Sequence, residues 1–182
     1  VEGLVFVHNA LRGARLRDRV KLFASGKIVT GFDMARVIAL GADACYSARA
    51  MMLALGCIQA RRCNSNDCPA GVATQARSLT AGLVVKDKAP RVARYHRETV
   101  RSFLDLLGSG GLRHPAQLRP WHIVRRTGFG ATRNYGELFD VLEEGALLRP
   151  TVPERYERAW AMADPRSFES AAEHYSRELA AG

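Results

Sequence analysis

Three cysteines fall within twelve residues, in the pattern Cys57-x5-Cys63-x4-Cys68, and Pro69 follows at once. Thiolates are soft ligands suited to zinc, copper or iron–sulfur clusters. A cysteine run closed by a proline occurs in cluster-binding loops, although gaps of five and four residues are not the ferredoxin spacing. Structural zinc favours two-residue gaps and four ligands, whereas here no fourth Cys or His is near; His8 and His96 are distant in sequence. A loop of three thiolates therefore suits a cluster with three cysteine-ligated irons better than it suits zinc. Asp67, beside Cys68, is the nearby carboxylate that could complete a site. The competing reading is of free or buried thiols, because Cys packs as a small hydrophobe. It suits Cys45, inside the apolar run Ala42–Tyr46, better than Cys63 and Cys68, which sit among Arg61, Arg62, Asn64, Ser65, Asn66 and Asp67. Unligated thiols in such a basic, polar loop would be reactive.

Just upstream lie the parts of an anion site. Ser25-Gly26-Lys27 follows a short apolar run, so Gly26 permits close backbone approach while Ser25 and Lys27 offer donors. Thr30 and Gly31 lead into a helical pattern, whose first N–H groups lack partners and attract an anion. Ser47-Ala48-Arg49 repeats the arrangement at the next strand-to-helix turn, and Arg49 can grip a phosphate through two parallel hydrogen bonds. In (β/α)8 barrels phosphates are commonly held by the loops after the seventh and eighth strands. Glycine and serine at such turns also serve conformation alone, and Arg49 also reads as a surface charge.

These residues need elements to place them. Residues 2–16 carry Leu4, Val5, Val7, Ala10, Leu11 and Ala14 at roughly helical spacing. Val20 to Ala24 reads as a buried parallel strand, Asp33 to Leu40 as a helix stopped by Gly41, Ala42 to Tyr46 as a second strand, and Ala48 to Leu55 as a third helix. Asp33 falls near a helix start, where a carboxylate favours the dipole. The alternation predicts an α/β fold with parallel strands and helices outside them. It is the repeat of a (β/α)8 barrel, but two strands cannot close one; a doubly wound open sheet shows the same periodicity. Beyond the cysteines, Ala76 to Pro90 reads as a loop and Val92 to Leu107 as a helix ended by Gly108-Ser109-Gly110-Gly111. Pro115 to Leu118 reads as a turn of helix, residues 127–134 as a loop, and Tyr135 to Leu148 and Phe168 to Leu179 as helices.

The 182 residues fit one domain or a large piece of one, and 47% hydrophobic with 25% charged residues suits a chain that builds a core. No apolar run approaches a membrane span, so a cytoplasmic setting is expected; a signal-peptide pattern is also absent, which in a chain that starts without Met says little about the intact protein. Val1 stands in place of Met and falls directly into a helical pattern, as expected of a segment cut from a longer product. The net charge of +9 invites a nucleic-acid partner. The arginines are scattered, however, and no zinc-finger, RRM or homeodomain pattern accompanies them, so no nucleic acid is expected; a solvated basic face or an acidic protein partner fits better.

The stretches SGKIVTGFDMARVIALGADAC and SARAMMLALGCIQ, with the C-x5-C-x4-CP-x-GVATQ tail, resemble the corresponding part of glutamate synthases over about residues 20–75. The helix before them and the segment Tyr95–Leu112 resemble the family less specifically. The resemblance implies the last two strands and helices of a (β/α)8 barrel (a TIM barrel) that binds FMN and a [3Fe-4S] cluster. It divides the chain into a barrel portion, 1–112 with the cluster loop 57–75, and a helical extension, 113–182. It implies reductive amination of 2-oxoglutarate to L-glutamate with glutamine-derived ammonia, FMN as reductant and electrons arriving through the cluster. The electron donor would be ferredoxin or a nicotinamide-dependent reductase subunit. By position, Cys57, Cys63 and Cys68 would ligate the cluster, and Ser25, Gly26, Lys27, Thr30, Gly31, Ser47, Ala48 and Arg49 would surround the FMN phosphate. Arg61 and Arg62 would favour the reduced cluster by simple attraction. No glutaminase region or long glycine-repeat domain is present, so a short FMN-binding family member is expected, inactive without the remainder of the barrel. Outside this family, the alternatives are a cysteine-ligated zinc module with a nucleic-acid-binding surface, or a non-catalytic remnant.

Overall fold

Apolar residues at helical spacing, interrupted by two short apolar runs, fold into the expected alternation at the start of the chain. The structure, a computed structural model, describes residues 1–164; the expected helix Phe168–Leu179 lies outside the described residues. In order come α1 (Glu2–Gly13), β1 (Phe23–Ser25), α2 (Gly31–Ala39), β2 (Ala44–Tyr46) and α3 (Ala48–Leu55), followed by α4 (Arg77–Thr80) and α5 (Val85–Ser109). Then come β3 (Val124–Gly128), β4 (Ala131–Asn134), α6 (Tyr135–Leu138) and α7 (Glu154–Ala161). The chain forms two compact units: Val1–His8 with Lys21–Asp140, and Asn9–Val20 with the described residues from Val141.

In the first unit β1 and β2 run parallel, with Phe23 opposite Ala44, Ala24 opposite Cys45 and Ser25 opposite Tyr46. Side chains alternate across a strand, so Ala24 is buried against Ile28, Val37 and Ala42 while Phe23 and Ser25 face the other way. The Phe23 and Tyr46 rings stack at 5.5 Å on that open face and stay 55% and 59% exposed. Helix α2 presents its other apolar residues, Ala35 and Ala39, to Phe103 and Leu107 of α5, where Val5, Leu118, Ile123 and Tyr135 complete the core. The approach of α2 to α5 depends on Gly31, because a Cβ there would lie 2.5 Å from the Phe103 backbone nitrogen. The architecture is thus mixed α/β, and no closed barrel is formed among the described residues.

Three expectations are corrected downstream. Residues 76–90 are not a loop: α4 and the first turns of α5 occupy them, and α5 begins at Val85, seven residues before Val92. Pro90 lies early in α5, where its missing N–H costs one helical bond, and the helix runs on through it to Phe103 and Leu107, its buried residues. Residues 127–134 fall largely within an antiparallel hairpin, with Arg125 opposite Arg133, Arg126 opposite Thr132 and Gly128 opposite Ala131. Its strands are exposed and lack apolar alternation, which removes the usual strand signal. The helix expected over Tyr135–Leu148 is one turn, α6, with a separate 3-10 turn at Ala146–Leu148. The chain leaves the first unit after Asp140, and Gly145 takes a left-handed φ of 76° that no continuing helix accommodates.

In the second unit Asn9 is buried and accepts the Leu142 N–H at 3.1 Å, while Leu147 is buried at 1% exposure. Among the described residues no helix is long and apolar enough to cross a membrane.

Candidate functional site

The parallel register sets Ser25 beside Tyr46, so the turns that leave β1 and β2 emerge side by side at one end of the sheet. Ser25-Gly26-Lys27 and Ser47-Ala48-Arg49 are therefore brought together at the level of backbone. Gly26 has φ 106° and Lys27 φ 55°, and nothing lies within 4 Å of a Cβ built on Gly26, so its backbone is open to a ligand. The Ser47 hydroxyl donates to the Ile28 carbonyl at 2.7 Å and ties the second turn to the first. Tyr95 of α5 donates its hydroxyl to the Val29 carbonyl, a second tie. Lys27 and Arg49 are exposed and make no ion pair among the described residues.

The two helix starts differ. Thr30 and Asp33 form a reciprocal capping box: the Thr30 hydroxyl accepts the Asp33 N–H at 3.1 Å, and the Asp33 carboxylate accepts the N–H of Thr30 at 3.0 Å and of Val29 at 3.2 Å. Burial opposes ionisation of Asp33, but the Thr30 and Val29 hydrogen bonds and the Arg36 guanidinium together hold its carboxyl below the usual range. The start of α2 thus already holds an anion of its own. Gly31 serves the packing on α5. The start of α3 has no side-chain cap at Ser47, so it keeps N–H groups for a ligand. Of the eight residues named from the sequence, six lie in the adjacent Ser25–Lys27 and Ser47–Arg49 turns, the second of which opens α3, and Thr30 and Gly31 are engaged within the fold.

The cysteine loop begins where α3 ends. Gly56, at φ 108°, closes the helix, and the Cys57 N–H returns to the Met52 carbonyl at 3.0 Å, so Cys57 is fixed by the cap itself. Cys57 is half-buried and its Sγ accepts the Gln59 N–H at 3.4 Å; Cys63 is exposed; Cys68 is buried. The Cys68 thiol is held below its ordinary pKa by the Ala73 N–H first, then by those of Val72, Ala70 and Gly71, against the opposing effect of burial. Gly71 makes that wrap possible, since a Cβ there would meet the Leu79 carbonyl at 2.3 Å. Asp67 pairs with Arg62 at 3.0 Å, and Asn66 accepts the Gln75 N–H at 2.7 Å and, through its carbonyl, the Thr74 hydroxyl at 2.6 Å. Gln59, Arg61 and Asn66 all have left-handed φ, a costly backbone that clusters at functional sites. Among the described residues, however, no three His, Cys, Asp or Glu side chains are gathered closely enough to hold a metal ion. Cys45 is half-buried in β2 with its thiol pushed up by burial, as a packing residue should be.

Sequence reasoning missed two positioning groups, Tyr95 and the Ile28 carbonyl, for which no signal existed, and the Thr30–Asp33 box, for which Thr-x-x-Asp before an apolar run was the signal. An apolar groove of about 550 Å3 between α3 and α5, lined in part by Met51, Leu55, Leu83 and Val92, includes none of the predicted residues.

Residues 1–113 match the family model described as a conserved region in glutamate synthase. The chain belongs to the glutamate synthase family. Among its relatives is the glutamate synthase large subunit-like protein YerD of Bacillus subtilis (strain 168), 38% identical over 135 residues, which are 74% of this chain and 26% of the relative. An archaeal glutamate synthase [NADPH] of Methanocaldococcus jannaschii is 38% identical over 113 residues, 62% of this chain and 22% of the relative. A ferredoxin-dependent glutamate synthase 2 of Synechocystis sp. (strain ATCC 27184 / PCC 6803 / Kazusa) is 39% identical over 107 residues, 58% of this chain and 7% of the relative. The chain therefore spans about a quarter or less of the length of these relatives.

Proposed function

We propose that this chain is the part of a glutamate synthase-type oxidoreductase that holds the FMN phosphate and carries the ligands of a [3Fe-4S] cluster. Glutamate synthases generally use flavin and iron–sulfur cofactors. The observation that carries the proposal is the continuity of α3: its uncapped start lies in the second of two adjacent basic turns, and its glycine-capped end fixes Cys57. One eight-residue helix thus links an anion-ready helix start to the first ligand of the cysteine loop.

The FMN phosphate is assigned to the backbone N–H groups at Ser47, Ala48 and Arg49, with Ser25, Gly26 and Lys27 from the neighbouring turn. Arg49 and Lys27 neutralise its charge, and the α3 dipole adds to them. Thr30 and Gly31 shape the turn from behind. Cys57, Cys63 and Cys68 fit a cluster by donor chemistry: three thiols, with backbone N–H groups aimed at two of the sulfurs. They are not gathered, so the loop is assigned to close around the cluster as it is acquired, in the way ligand binding is coupled to folding elsewhere. Bound there, the cluster supplies one-electron transfer to the flavin.

In the whole protein the two parallel strands belong to a (β/α)8 barrel, whose remainder covers the open face of Phe23 and Tyr46. The reaction assigned is reductive amination of 2-oxoglutarate to L-glutamate with glutamine-derived ammonia. Relatives named as ferredoxin-dependent and as NADPH-using make a ferredoxin or a nicotinamide-dependent partner the electron source. Anaerobic purification of the intact protein tests this. One FMN per chain and three irons with a [3Fe-4S] signal in electron paramagnetic resonance support it; a colourless protein with zinc at the cysteines overturns it.

A further inference from the structure

We propose that the Val124–Asn134 hairpin is a docking arm for an acidic protein surface. The hairpin lies beyond residues 1–113, the part that the family model matches. Its base is bolted to the core: Ile123 and Tyr135, the residues at its two ends, are both buried, and the Tyr135 N–H bonds the Ile123 carbonyl at 2.9 Å. Its body stands in solvent. Every residue of β3 is exposed, as are the first three of β4, and both strands have an unpaired edge. Phe129 sits in the two-residue turn between Gly128 and Ala131 and is fully exposed.

The charge pattern has no internal explanation. The eleven residues contain Arg125, Arg126 and Arg133 and no Asp or Glu. Arg125 and Arg133 stand directly opposite each other, a like-charge pair that weakens a hairpin. None of the three makes an ion pair among the described residues; Arg133 donates only to the Glu137 backbone carbonyl, at 3.1 Å. A carboxylate seated between two facing guanidiniums relieves that repulsion through forked hydrogen bonds. The composition favours protein over nucleic acid as the source of the negative charge. Arginine and an aromatic are the residue types enriched at protein interfaces, lysine is depleted there, and no lysine follows Lys88 in this chain. The arginines also lie on both faces of one short ribbon rather than along a single track, unlike a groove that follows many phosphates. A second copy of the same arm is repelled by its own charge.

Fluorescence anisotropy with the intact protein tests the arm, using a labelled glutamate-rich dodecapeptide carrying one central leucine, and a single-stranded DNA dodecamer at the same ionic strength. Arg125→Ala/Arg133→Ala should weaken peptide binding about tenfold, and Phe129→Ala about threefold. Arg91→Ala/Arg94→Ala, which removes the same charge from α5, should change it less than about twofold. Unchanged circular dichroism checks that the variants fold, and Arg125→Lys/Arg133→Lys should restore only part of the affinity. No measurable peptide binding, equal losses from the hairpin and α5 variants, or tighter hairpin-dependent binding of the DNA would each overturn the proposal.

Discussion

At the turns after β1 and β2, a carboxylate, a serine hydroxyl and a tyrosine hydroxyl each close a hydrogen bond within the protein, and two strand ends are locked in register. In the loop after α3 the anchoring is equally dense, but each anchor holds one cysteine separately. A helix cap fixes Cys57, a nest of N–H groups surrounds the Cys68 sulfur, and Cys63 is left in solvent. The first region is locked in place by the protein alone, so under the proposed function its phosphate only has to arrive. The second is a set of prepared ends whose final arrangement is assigned to the ligand. Phosphate sites built from backbone N–H groups follow from secondary structure alone, whereas cluster sites need coordination bonds to overcome loop entropy and strained φ angles such as those of Gln59, Arg61 and Asn66.

That contrast can be broken in several places. Cys63→Ser in the intact protein should abolish the [3Fe-4S] signal while most of the FMN stays bound, measured by electron paramagnetic resonance and flavin fluorescence; parallel loss of both would merge the two regions. Gly31→Ala should destabilise the fold by about 2–3 kcal/mol in urea titration, because its Cβ would lie 2.5 Å from the Phe103 backbone nitrogen. Arg49→Ala should weaken FMN binding about tenfold with fold stability unchanged, the loss expected of a charge-assisted hydrogen bond. Unchanged FMN content would remove Arg49 from the site. Asp33→Asn, which keeps an acceptor oxygen but removes the charge, should cost about 1 kcal/mol at pH 7. Because the folded-state pKa of Asp33 is depressed, its charge stabilises the fold above the ordinary carboxylate range, and that contribution is lost as pH falls through the lower folded value. The gap between variant and parent should therefore shrink as pH falls below the ordinary carboxylate range, and a gap that stays constant there would rule out the charged cap.

Much of the first region was legible because local chemistry sets it. A carboxylate at a helix start, glycine after a helix and apolar runs flanked by turns placed α2, β2 and α3 within two or three residues of their observed limits. The roles at the turns were only half legible. Gly31 looks like a phosphate residue in sequence and is required by the backbone of Ser102 and Phe103, some seventy residues downstream. Tyr95 falls in the apolar stripe of its helix and yet supplies a hydroxyl to the turn. Such pairings depend on which helix faces which, and spacing does not encode that. The Val124–Asn134 hairpin was missed for the opposite reason: its strands bury nothing, so no periodicity marks them. The cysteines were visible from their types, but the N–H groups of Ala73 and Val72 around Cys68 come from a backbone path that no residue type announces.

The central claim, a finished phosphate site joined by one helix to a loop completed by its cluster, is tested most directly by hydrogen–deuterium exchange on the intact protein before and after anaerobic removal of iron. The account predicts that exchange rises across residues 57–75, while residues 25–31 and 47–49 stay protected and FMN stays bound. Unchanged exchange in 57–75, or loss of protection at both turns together with the FMN, would contradict it.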